Sequence, residues 1–383
     1  MAEHKGKKIK VLEVIRQGQI GGGESHVLDL IQCLDKTQVC PIAMAFTGGH
    51  MIDSLREQGI QCYVIETQKA FDKKVQSKIR QVVEEENIDI IHAHGSRAAS
   101  NMIWTAHKLH IPLIYTVHGW SFHQDQSWFV QKLRAWSEKL ICHCATQVIC
   151  VSESNRLTGV KAFGLNTDKC SVIENGINLK RFDANASYPD LRPELGFTNE
   201  DFIAAEICRI TLQKAPLDFV KAIEIAHSKD SNIKGLLVGE GDMKDEVYQY
   251  IADNNMQDYL KTSPFRTDVP AVLKAIDVYT LPSLWEGLSI ALLEAMAMKK
   301  PIVVTPTDGT KELIDNGING TVIPFNDPQS LADSILGYKL NKVSSIEHGE
   351  VAYQIIEQRF NAQRVADSVL QIYKQIKLKK FKK

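Results

Sequence analysis

The chain has 383 residues, 44% of them hydrophobic and 24% charged, with a formal net charge of -1. That length predicts two domains, each with enough apolar sequence for its own core. Balanced charge excludes the global positive field of a nucleic-acid binder, and no apolar run reaches the roughly 18 residues that cross a bilayer. The eight cysteines lie mostly inside apolar runs, with no signal-like leader ahead of them, and read as reduced core thiols of a cytoplasmic protein. Cys142-His143-Cys144 has no CxxC partner, so no metal is expected there.

The first predicted strand is Ile9–Ile15, followed by the glycine-rich turn Gln17–Gly23 and a helix from Glu24. Such a turn lets a ligand approach the backbone and marks Gly22 and Gly23 as candidates; a packing turn without a ligand is the plain alternative. The second strand, 41–46, ends in Thr47-Gly48-Gly49 with no acid for a ribose, which counts against dinucleotide binding. Further apolar runs at 62–65, 88–92, 113–117 and 147–151 alternate with helical stretches, the pattern of a doubly wound parallel sheet. Two of these runs lead into histidines, His92-Ala93-His94 and His118. Ligands of open α/β sheets bind at carboxyl ends of strands, so His94 and His118 are candidates beside the reading of structural histidines. The HxH pair could ligate a metal, but the sequence shows no third ligand. Trp120, Phe122, His123, Trp128 and Trp136 could stack on a sugar, cover lipid or fill core. Residues 181–199 lack periodicity, are rich in Pro, Asn and Asp, and read as an interdomain linker.

A second series begins with a strand at 202–208, closed by Arg209 and Lys214, two cations that could clamp a diphosphate. A helix over 217–227 follows, then Gly235–Asp242, a strand entering a turn with Gly239 and Gly241, and then Phe265–Pro270 with Arg266. The strand 276–281 feeds the loop Pro282–Leu288 and a helix over 289–298 with Ser289 near its N-cap. Gly287 keeps this loop bare, and free N–H groups at the helix start suit a phosphate. Glu286 lies in the loop, and Glu294 lies in a helix that is otherwise apolar. A buried carboxylate needs a partner, which a ligand's hydroxyls or a structural cation could supply. The parts suit a sugar carrying a diphosphate. A strand at 301–305 and a final helix at 360–376 complete the pattern, and the basic end Lys377–Lys383 reads as a solvated tail or as weak attraction to an anionic membrane.

In this order, Val172–Ile177, the R-x4-K pair Arg209 and Lys214, Val238–Gly241, Arg266–Val269, and the E-x7-E pair Glu286 and Glu294 within PSLWEGLSIALLEAMA resemble glycosyltransferase family 4, retaining enzymes of the GT-B fold. The resemblance implies two doubly wound Rossmann-like domains facing across a cleft, with the last helix crossing back to the first domain. It places an acceptor-binding domain at 1–180, completed by 361–383, and a nucleotide-sugar domain at 181–360. It also implies roles. Arg209 and Lys214 would hold the diphosphate and Glu294 the ribose hydroxyls. Glu286 would bind the donor sugar, with the backbone of Gly287, Leu288 and Ser289 on sugar or phosphate. Gly22 and Gly23 would face the diphosphate, and His118 the transferred sugar. Cys208 and Ala215 stand where the family usually has glycine, which would narrow the nucleotide pocket.

The expected reaction is transfer of a sugar, with retention, from a UDP- or GDP-sugar to an acceptor hydroxyl of a glycan or lipid-linked substrate. No nucleic acid takes part. The setting expected from the family is cell-envelope or surface polysaccharide or glycolipid assembly, in the cytoplasm or at the inner face of the membrane. No D-x-D occurs, so no metal and no cofactor beyond the donor is expected. A sugar-nucleotide epimerase and a non-catalytic binding protein are the alternatives. Donor, acceptor, linkage and oligomeric state are open.

Overall fold

Strands form where apolar, β-branched runs can be buried on both faces, and helices where apolar residues recur every three or four positions. The computed structural model describes residues 8–18, 22–122 and 126–381; Gln19, Ile20, Gly21, His123, Lys382 and Lys383, all in stretches singled out above, lie outside them. The chain divides into two units, residues 1–176 with 362–383, and residues 177–361.

The first unit holds β1 (Ile9–Ile15), β2 (Val39–Ala45), β3 (Cys62–Val64), β4 (Ile90–His94), β5 (Leu113–Val117), β6 (Gln147–Cys150) and β7 (Cys170–Val172). They form one sheet in the order β3-β2-β1-β4-β5-β6-β7, parallel throughout. Its helices are α1 (Gly22–Cys33), α2 (His50–Glu57), α3 (Gln76–Glu85), α4 (Ser96–Lys108), α5 (Trp128–Cys144) and α6 (Glu153–Phe163). The strand order reverses between β1 and β4, where a doubly wound sheet opens a crevice beyond its carboxyl ends. Register there sets Glu13 beside His92 and Ile15 beside His94.

The second unit holds β8 (Phe202–Ile207), β9 (Ile233–Val238), β10 (Leu260–Ser263), β11 (Val278–Leu281), β12 (Ile302–Val304) and β13 (Thr321–Val322) in the order β10-β9-β8-β11-β12-β13, again parallel. Its helices are α7 (Pro216–Lys229), α8 (Lys244–Asp253), α9 (Val269–Ala275), α10 (Ile290–Ala297), α11 (Asp308–Lys311), α12 (Pro328–Leu340) and α13 (Lys342–Arg359). Here the order reverses between β8 and β11. Finally α14 (Ala362–Phe381) returns to the first unit, where Val365, Val369, Leu370, Tyr373 and Ile376 pack with Val11, Leu30, Ile114 and Ile149. The family's paired Rossmann-like arrangement, GT-B, is the architecture of this chain.

The stretch read as a linker, 181–199, is instead part of the second unit. Phe182, Leu191 and Phe197 are buried in its core. Arg192 fixes the segment, donating to the carbonyls of Ala275, Thr198 and Asp201 and pairing with Asp277 at 2.9 Å. Isolated apolar residues carry this packing, so no periodicity announced it.

Candidate active site

In the second unit the site grows from the two strand ends at the reversal. β8 runs into a turn at Leu212–Lys214, and β11 into the loop 282–289. The two segments are laced together: Gln213 Nε2 donates to the Trp285 carbonyl, and the Leu284 N–H to the Gln213 carbonyl, both at 2.8 Å. Lys214 Nζ forms an ion pair with Glu286 Oε1, which also accepts from Ser283 Oγ at 3.2 Å. Burial alone would lower the Lys214 pKa, but the Glu286 carboxylate, with Cys208 and Glu206 beyond it, raises it, so the ammonium stays charged.

The sequence joins Arg209 to Lys214 as one clamp, but the structure treats them differently. Arg209 leaves β8 exposed, and no described acid pairs with it. Ala215 takes φ 52°, left-handed backbone that disfavours a Cβ. A glycine suits this position for that reason, independent of pocket width.

Ser289 caps α10, its hydroxyl accepting the Leu292 N–H at 3.4 Å. Gly287 and Leu288 lead into that cap, and Gly309 buttresses the loop, donating its N–H to the Glu286 carbonyl at 3.2 Å. Along α10, Ile290, Leu292, Leu293, Ala295, Met296 and Ala297 are buried, and Glu294 is 7% exposed. The group brought together is therefore Lys214 and Glu286 with the segment Gly287, Leu288 and Ser289 that leads into α10, while Glu294 lies buried further along that helix and Arg209 stands at the neighbouring strand end.

Three expected substrate residues also have structural contacts of their own. A Cβ on Gly239 would stand 1.8 Å from the Cys208 carbonyl oxygen, and one on Gly241 2.0 Å from that of Ile210. Close backbone packing alone requires glycine at both positions. Arg266 is clasped by Asp268 through two bonds of 2.8 and 2.6 Å and by Glu194 at 2.7 Å. It lines a cavity of about 500 Å³ with Tyr248, Lys261 and Ser263, and no ion pair or hydrogen bond joins it to the Lys214 group among the described residues.

One second-unit residue was missed. Glu206 on β8 is fully buried, and neither carboxyl oxygen has a hydrogen-bond partner among the described residues. Burial pushes its pKa up to about 8, against the weaker pull of Cys208 and Lys214, so it is largely protonated at neutral pH. Folding takes up this proton. The stabilisation is therefore complete below about 4.5 and is lost as pH rises through about 8. We expect Glu206→Leu to raise the melting temperature more at pH 8.5 than at pH 5; equal shifts at both would show that Glu206 does not titrate.

The first unit concentrates histidines at its own strand reversal. His118 follows β5, and a Cβ on Gly23 would stand 3.7 Å from its ring; Gly22, one residue earlier, is exposed. His94 Nδ1 lies 3.2 Å from His118 Nε2, and His94 Nε2 lies 3.0 Å from Glu13 Oε2. Tyr373 of α14 donates to Glu13 Oε1 at 2.7 Å and lies 2.6 Å from His92 Nδ1, while His92 Nε2 meets Thr116 Oγ1 at 2.7 Å. His26 packs edge-on to His118, ring centroids 4.8 Å apart.

Charge states follow from this geometry. Burial, which opposes ionisation of Glu13, is outweighed by His92 and His94, and its pKa falls well below the usual range. Burial then lowers His94 to about 4 and His26 to about 3, and takes His118 well down. The Glu13 carboxylate can only accept, so His94 carries its hydrogen on Nε2. Its Nδ1 must then accept from His118 Nε2–H, which leaves His118 Nδ1 as the free acceptor.

The sequence lacked a third ligand for the HxH pair, and the structure supplies neighbours in Glu13 and His26. Two sets, Glu13 with His92 and His94, and His26 with His94 and His118, have their ligand atoms within 4.8 Å. Hydrogen bonds among their own atoms already join most of them.

The fold and these motifs can be set beside known proteins. The family model for glycosyl transferases group 1 matches residues 187–377, and that for Glycosyltransferase Family 4 matches 20–181. The chain is a family 4 glycosyltransferase. This glycosyltransferase is 27% identical over 376 residues to the Escherichia coli UDP-Gal:alpha-D-GlcNAc-diphosphoundecaprenol alpha-1,3-galactosyltransferase, covering 96% of this chain and 97% of that one. It is 26% identical to the alpha-monoglucosyldiacylglycerol synthase of Acholeplasma laidlawii, over 84% of this chain and 81% of that one. The Anabaena HepE structure solved with UDP and glucose superposes with a TM-score of 0.83 at 22% identity, covering 95% of this chain and 99% of that one, a likeness of fold.

Proposed function

We propose that this glycosyltransferase moves a hexose from a UDP-sugar to a hydroxyl of a lipid-linked glycan, with retention at the anomeric carbon and without a metal. The single observation that carries the reading is the Lys214–Glu286 pair at the strand reversal, beside the capped start of α10. A diphosphate leaving group gathers negative charge as the glycosidic bond breaks. The Lys214 ammonium, the exposed Arg209 and the α10 N–H groups are suited to receive it. Glu286, released from Lys214 by the arriving phosphate, becomes an acceptor for sugar hydroxyls, and the buried Glu294 for those of the ribose. In the first unit, Glu13 and His94 are positioning residues that fix the tautomer of His118.

The UDP and lipid-linked parts of the proposal draw support from the E. coli relative's name. The test is transfer from UDP-galactose or UDP-glucose to a polyprenyl-diphosphate-linked amino sugar, with the product anomer read by NMR. We expect an α-linked product and a rate unchanged within about twofold by EDTA. An inverted product, a strict Mg²⁺ requirement, or donor turnover without acceptor, as an epimerase would give, overturns it.

A further inference from the structure

Helix α5 carries its large apolar residues on the outside. Trp128, Phe129, Leu133 and Trp136 are 71%, 70%, 56% and 62% exposed, whereas Glu138, Ile141 and Cys142 are buried against the unit. At about 100° per residue, Trp128, Phe129, Lys132, Leu133, Trp136 and Lys139 share an arc of about 140°. Both lysines are exposed and stand within the aromatic stripe.

The unpaired exposed charge on the adjoining helices is positive. Across α4, α5 and α6 the acids are Glu138, which is buried and accepts from Ser96, Tyr115 and the Ser121 N–H, and Glu153, which is paired with Arg156. The exposed cations Lys108, Lys132, Lys139 and Lys161 meet no described acid. A second copy of this helix would set lysine against lysine, and water leaves the tryptophans unsatisfied. An anionic lipid surface answers both needs: the rings settle at the headgroup level, and the lysine stems reach back to the phosphates. No helix among the described residues is long and apolar enough to cross a membrane, so contact of this kind lies in the interface plane.

We propose that α5 is a membrane-docking helix that lies on an anionic bilayer surface. The assignment is independent of the donor chemistry and of the basic end after Lys377. The test is co-sedimentation of the full chain with phosphatidylglycerol/phosphatidylcholine vesicles and with phosphatidylcholine alone, without any sugar nucleotide. We expect the protein to partition at least tenfold more strongly onto the anionic vesicles, with a blue shift of tryptophan emission. Trp128→Ser with Trp136→Ser should lower partitioning at least tenfold, and Lys132→Gln with Lys139→Gln should remove most of the preference for anionic lipid. Unchanged circular dichroism melts confirm that these exposed substitutions leave the fold intact. Full binding by the double tryptophan variant, loss of binding only when residues 377–383 are deleted, or a dimer that Trp136→Ser dissociates would each overturn the proposal.

Discussion

Replacing Lys214 by alanine should lower sugar transfer by about 10³-fold, a loss of about 4 kcal/mol of transition-state stabilisation. Lys214 is 15% exposed and Glu286 is 9% exposed, so their attraction acts in a setting that water screens poorly. The ammonium meets Glu286 now and the diphosphate later, and alanine removes both interactions. Lys214→Ala also leaves the Glu286 side chain with Ser283 as its one hydrogen-bond partner among the described residues, at a cost of about 3–5 kcal/mol in stability. A poorly folded variant would imitate a catalytic defect, so a companion is needed. Lys214→Met with Glu286→Gln removes both charges together and should recover most of the stability. Its transfer rate should remain at the level of Lys214→Ala. A stable double variant working within tenfold of the parent would remove Lys214 from the reaction.

Much of the fold was legible because parallel strands buried on both faces are continuous apolar runs. β1 and β5 fall at the residues expected of them. β10, Leu260–Ser263, and β13, Thr321–Val322, were missed. They are edge strands with polar residues at Lys261, Thr262 and Thr321, and they lack the run that betrays a central strand. The site divides in the same way. Lys214 and Glu286 are each visible in the sequence, but their contact spans 72 positions and depends on which strands neighbour one another. Glu13 and Glu206 could have been found. Each is an acid inside an apolar strand, and the argument that singled out Glu294 in its helix applies to them equally. The role of Tyr373 was not legible, because a phenol's partner 360 residues away leaves no local sign.

The second large effect is on stability in mild acid. His26 and His94 titrate in the folded first unit at about 3 and about 4, and His118 lies well below its ordinary value, principally because burial disfavours their charged forms. In the unfolded chain each titrates near 6.5. Between those values the unfolded state binds more protons, so stability rises with pH. It is fully present above about 6.5 and drains away as pH falls toward 4. Each histidine can contribute about 1.4 kcal/mol per pH unit, and three together about 4, against a total stability of roughly 5–15 kcal/mol for a typical domain. The Glu13 carboxylate does not offset this, because its own pKa is depressed and its loss on protonation has the same sign at still lower pH. We expect amides of β4 and β5 to lose hydrogen-exchange protection between pH 6 and 4.5 with a slope of two to three protons. His26→Gln should lower that slope by about one while protecting the unit at pH 5. A slope below one proton would mean that these rings are already charged in the folded unit, and the hydrogen bond from His118 to His94 could not form, because a charged His94 has no acceptor nitrogen.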